Sequence, residues 1–143
     1  VGGISYTQDE IVFADKIAKT MGYDKADLET AETIQPYNTV GESSGSTDVG
    51  DVSFAVPTAG MGSATWVPGT PAHSWQAVAA GGTSIGKKGM MVAAKTLTLT
   101  AIDLFASQEL VAKAKAEFFE RRGSEFVYIP LLGDRPPALD YRK

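Results

Sequence analysis

The chain has 143 residues, of which 43% are hydrophobic and 21% charged, and its formal net charge is −4. That is the length of one domain and the composition of a globular protein, neither disordered nor membrane-embedded, and its acidity argues against a generic nucleic-acid binder. Cysteine is absent, so disulfides, thiolate metal sites and a cysteine nucleophile are excluded.

Val1-Gly2-Gly3 opens the chain without an initiator Met, a basic region or an apolar region. The expectation is a cytoplasmic protein with no visible signal peptide, whose native amino terminus lies further upstream. Thr7-Gln8-Asp9-Glu10 fits a capping box, in which the hydroxyl and the carboxylate each accept from the other residue's backbone amide. Ile11, Ala14, Ile17, Ala18 and Met21 follow at helical spacing, so a helix is predicted over Gln8 to Met21, with Gly22 as its stop. Asp24 to Tyr37 is mixed and polar, and reads as a connector. Gly41 to Gly50 is rich in Gly and Ser, a composition shared by linkers and by ordered turns at strand edges.

Two short runs, Val52 to Val56 and Ser63 to Val67, are rich in Val, Phe, Thr and Trp and predict strands flanking a turn at Pro57 to Gly62. After Pro68-Gly69-Thr70-Pro71 comes Ala72-His73-Ser74-Trp75-Gln76, then a break at Gly81-Gly82. A long helix is predicted from Ile85 to Ala106, with Gly86, Gly89, Ala93 and Ala94 permitting close approach of another element. Its most apolar part, Met90 to Phe105, is broken by Lys95, several Thr and Asp103, so no bilayer-spanning run of about 20 residues is expected. Ser107 is a good N-cap for a helix over Gln108 to Arg122, which has Glu109 in its first turn, two Arg in its last and Gly123 beyond. The basic residues of this helix are interleaved with acidic ones, as on a solvated face. Phe126 to Ile129 reads as a terminal strand. These elements predict one α/β domain over residues 1–143, a mixed sheet with helices packed on it.

Few motifs carry chemistry. Gly81 to Lys88 fits the start of a phosphate loop, but Lys88 stands where Ser or Thr should hold magnesium, and no buried strand feeds it. It reads as a helix entry with two surface lysines. His73 is the single histidine, and Asp48 and Asp51 are the nearest acidic candidates in the Gly/Ser turn. A catalytic zinc needs about three protein ligands, and H-x-D, H-E-x-x-H and Glu-Glu are all absent. The many serines would allow a Ser-His-Asp triad on paper, but no G-x-S-x-G elbow supports one.

Three blocks in order, Gly45 to Ser53, Pro68 to Gln76 and Ser84 to Met90 with its helix, resemble the carboxy-terminal part of the aminobenzoyl-glutamate hydrolase-like amidohydrolases. These fall within the two-metal aminoacylase and carboxypeptidase G type metallopeptidases. The resemblance implies a catalytic domain split by an inserted dimerisation domain, with this chain as its downstream portion. The upstream half, with its H-x-D, bridging Asp and Glu-Glu pair, is missing, as is the dimerisation domain. The implied activity is hydrolysis of the amide bond of an N-acyl or N-aroyl amino acid such as aminobenzoyl-glutamate, by water activated on two divalent metals, with zinc the expected ion. By position His73 matches the last metal-ligand His, and Asp48 matches the acidic turn beside the site. Asp48 or Asp51 could accept the second N–H of a ligating imidazole, and Gln76 could reach a substrate carboxylate. No catalytic residue is implied in this chain, which is expected to be inactive alone. Its expected partners are the small-molecule substrate and the remaining catalytic half of the parent protein, and the full protein is expected to form a homo- or hetero-oligomer. The competing expectation is a non-catalytic α/β domain that binds a ligand or a protein. The fragment reading alone predicts an exposed apolar face.

Overall fold

The computed structural model describes residues 1–37 and 47–140. Among them are six helices: α1 (Gln8–Thr20), α2 (Glu29–Glu32), α3 (Val49–Ala55), α4 (Trp75–Gly81), α5 (Ser84–Ala106) and α6 (Gln108–Arg122). No described residue is in a strand, which overturns the expected mixed-sheet α/β fold. Val52 to Val56 falls largely within α3, while Ser63 to Val67 and Phe126 to Ile129 run as irregular chain. β-branched and aromatic residues favour a pleated surface only where neighbouring strands bury it, and short apolar runs do not by themselves separate strand from helix. Most of the Gly/Ser segment, residues 41–46, lies outside the described residues.

The chain divides into two compact units, the described residues of Val1–Gly41 with Gly60–Ala106, and those of Glu42–Ala59 with Ser107–Lys143. In the first unit, α1 starts at the predicted capping box. Thr7 N–H donates to Glu10 Oε2 at 2.7 Å, and Glu10 N–H donates to Thr7 Oγ1 at 3.3 Å. The 3.6-residue period then places Ala14, Ile17 and Ala18 on one buried stripe. Ala14 and Ile17 join Val67, Ala80 and Ile85 in the core cluster, so α1, α4, the start of α5 and the loop before α4 share one apolar centre.

Small residues bring α5 close to its neighbours, as its sequence predicts. A Cβ on Gly89 would collide with the Ala64 carbonyl and the Thr65 side chain, and one on Gly86 with the backbone of Gly81. Ser63 Oγ donates to Gly89 O at 2.9 Å where the irregular chain crosses the helix. Lys88 ties α5 to α1: its ammonium meets Glu10 Oε2 at 2.5 Å and donates to Ser5 O at 2.8 Å. Burial alone would push the Glu10 carboxyl up. The hydrogen bonds from Lys88, Ser84 and the Thr7 backbone, with the Lys88 charge, outweigh it and hold Glu10 down at about 2. The lysine that spoils the phosphate-loop match is therefore a structural cross-link.

Beyond Gly89 the character of α5 changes. Leu97 is 62% exposed and Phe105 93%, with Met90, Leu99 and Ile102 also exposed. Large apolar side chains lie on several sides of this stretch, the pattern of a helix enclosed in a larger core or in a membrane. Contrary to the expectation from sequence, α5 is long and apolar enough to cross a membrane by length and composition. Lys95, the twelfth of its 23 residues, would sit near the bilayer centre at a cost of about 2.5–3.5 kcal/mol.

The second unit is held differently. Neither α3 nor α6 buries a residue. Phe54 of α3 stacks on Phe126 and Tyr128, with ring centroids 5.2 and 6.5 Å apart. Arg122, at the end of α6, lies over Phe118, Phe119 and Phe126 and donates to Phe54 O at 3.2 Å. The α6 boundaries are those predicted from Ser107, whose hydroxyl accepts from Leu110 N–H, and from Gly123, which has positive φ.

Candidate functional site

The segment from Val67 to Ala77 carries His73 and is anchored in the core at both ends, by Val67 and by Ala77. Thr70 N–H donates to Val67 O at 3.1 Å, closing a turn around Gly69. Gly69 has φ +83, and a Cβ there would touch the Tyr23 ring at 3.3 Å, so the ring lies directly against the loop backbone. On the far side Ser74 accepts from Ala77 N–H at 3.2 Å as the N-cap of α4, and its hydroxyl donates to Pro71 O at 2.7 Å. Gln76, in the first turn of α4, donates to Thr20 Oγ1 at 3.2 Å at the end of α1.

Between these fixed points His73 is exposed and has φ +59, and no other non-Gly residue described has positive φ. The left-handed region is uncommon for a side-chain-bearing residue, though His is among the more tolerant types. Pro71 and the doubly hydrogen-bonded Ser74 flank it, and its side chain is exposed to solvent.

The other predicted site residues are engaged locally. Asp51, in the first turn of α3, accepts from Tyr128 O–H at 2.7 Å. That hydrogen bond leads the causes that push the Tyr128 phenol up, followed by burial and the Asp51 charge. Asp48 precedes α3 and accepts from Thr47 Oγ1 at 3.3 Å. His73 and Gln76 share the loop and α4 in the first unit, whereas both aspartates belong to the second. Among the described residues no group of three or more His, Asp or Glu could hold a metal ion. His73 alone offers one nitrogen donor where a catalytic zinc needs about three.

Two hydrogen-bonding partners, one in each unit, lie outside the residues that the sequence singles out. The double role of Ser74 has a partial signal, a Ser directly before a helix, which is a strong N-cap preference. The Tyr128 contact to Asp51 spans 77 positions and has no local signal.

His73 is therefore a single exposed imidazole, with no cluster of His, Asp or Glu able to hold a metal among the described residues. The chain is 39% identical over 93 residues to a subunit of the p-aminobenzoyl-glutamate hydrolase of Escherichia coli strain K12, in line with the resemblance carried by the three sequence blocks. The match covers 65% of this chain and 19% of that protein, so the chain spans about a fifth of its relative's length. No family model and no solved structure matches the chain.

Proposed function

We propose that this chain is the carboxy-terminal portion of a metal-dependent amidohydrolase that cleaves the amide bond of an N-aroyl or N-acyl amino acid of the aminobenzoyl-glutamate kind. The observation that carries the reading is the 39% identity over 93 residues to a hydrolase subunit named for that substrate. Two features of the chain support it. His73 stands exposed on a loop with a left-handed backbone flanked by core anchors, which suits a group that must meet a metal without reorganising. The exposed apolar stretch of α5 offers a face that the rest of such a parent protein would cover.

In this reading His73 gives one ligand to a divalent metal, most simply zinc, and the other ligands and the general base come from the rest of the parent protein. When bound, such a metal would supply Lewis acidity and lower the pKa of a coordinated water. The chain's own part is to hold the imidazole in place and to complete the packing of the catalytic domain. Asp51 is committed to Tyr128 and Gln76 to Thr20, so a role for either at the site requires those bonds to be exchanged. Among the described residues the Asp48 carboxylate accepts from the adjacent Thr47 hydroxyl.

The test is to exchange the aligned 93-residue stretch of the Escherichia coli hydrolase subunit for that of this chain, and to assay hydrolysis of p-aminobenzoyl-glutamate with zinc present. The chimera should be active, its His73→Ala version should lose at least about a hundredfold together with part of its bound zinc, and the isolated chain should be inactive. Hydrolysis by the isolated, zinc-loaded chain, or full activity of the His73→Ala chimera, would overturn the proposal.

A further inference from the structure

We infer that Ser74 is the positioning residue for His73, holding its backbone in the left-handed conformation from which the imidazole is presented. The functional part of this inference rests on the reading of His73 as a ligand given above. The hydroxyl of Ser74 does two things at once. It accepts from Ala77 N–H at 3.2 Å, joining the loop to the first turn of α4, and it donates to Pro71 O at 2.7 Å, across the two residues that precede it. The four-residue span Pro71 to Ser74 is thereby closed by a side chain, with His73 inside the closure at φ +59. Proline fixes its own φ near −65°, so one end of the closed span is rigid in itself, while Ala77, buried in the core, fixes the other. Within the span, His73 is the residue with positive φ.

An ordinary N-cap would need only the bond to Ala77 N–H. The bond to Pro71 O contributes to the loop instead of the helix, so loss of the hydroxyl should release His73 as well as fray α4. The two effects can be separated. Val78 is exposed on α4, outside the closed span, and Val78→Gly weakens the helix while leaving both Ser74 bonds possible.

The experiment uses the whole chain, labelled with 13C and 15N, and reads His73 by NMR, where its imidazole gives a single set of signals. In Ser74→Ala the His73 backbone shifts should leave the left-handed range, and hydrogen exchange at Ala77 should speed at least tenfold. Ser74→Thr, which keeps the hydroxyl, should restore the native His73 shifts. Val78→Gly should speed exchange in α4 and leave His73 left-handed. Unchanged His73 shifts in Ser74→Ala, or equal displacement by Val78→Gly, would overturn the inference. In the active chimera, Ser74→Ala should speed zinc loss to a chelator about tenfold at unchanged KM, with rescue by Ser74→Thr. If His73→Ala leaves the chimera fully active while Ser74→Ala displaces His73 in the chain, the positioning role stands and the ligand reading falls. If His73→Ala inactivates the chimera while Ser74→Ala leaves both its zinc and the His73 shifts unaltered, the positioning role falls and the ligand reading stands.

Discussion

At the scale of the residue, Glu10 carries more of the fold than its place in a capping box suggests. It accepts from Thr7 N–H and from the Lys88 ammonium while nearly excluded from solvent, so its charge is needed twice. With the carboxyl held at about 2 against an ordinary value of 4.5, its contribution is complete above pH 4.5 and is lost as the pH falls toward 2. Urea melts should therefore show stability falling through that window. In Glu10→Gln the slope should flatten and stability at pH 7 should drop by about 1–3 kcal/mol, since charge-assisted bonds to a buried group are lost. The half of this arrangement made with Thr7 is legible from four adjacent residues. The half made with Lys88, 78 positions away, is not, and in sequence the lysine pair reads as a surface feature. His73 divides in the same way: its place in Gly-Thr-Pro-Ala-His is legible, its positive φ is not, because no residue type there requires one.

At the scale of the element, the helices with both caps and periodicity are legible to within a residue or two. α1 and α6 have a Thr or Ser cap, an acidic first turn and a basic last turn, and each signal points the same way. The predicted strands fail because their only signal is composition, and no sheet exists among the described residues to receive them. The close approach to α5 is legible from its glycines, and it makes a sharp prediction. Gly89→Ala should cost about 1–3 kcal/mol by overpacking, measured by thermal or chemical melts, because the new methyl meets the Ala64 backbone, which cannot rotate away. The helical preference of Ala over Gly, about 1 kcal/mol, would make the same substitution stabilising if the contact were absent.

At the scale of the whole molecule, the buried hydrophobic side chains described all belong to the first unit, and α5 leaves its second half uncovered. The isolated chain should bind the dye ANS and self-associate with rising concentration. Paired Leu97→Lys and Phe105→Ser substitutions should reduce both by several-fold in dye fluorescence and sedimentation, since they interrupt the exposed apolar surface. A monomer that binds no dye would show that α5 finds its cover within the chain. The expectation of an exposed apolar face comes from the motifs missing from the sequence rather than from its periodicity. The low charge of α5 is visible in sequence, but its wide distribution of apolar side chains passes there for one face.

The uncovered half of α5 also bears on the protein's life in a cell. Chaperones and proteases recognise exposed apolar stretches, and they act on whatever fraction of a chain displays one. On the proposed reading, a copy without the rest of its parent protein would display Leu97 to Phe105 as such a stretch and be removed faster than an assembled one.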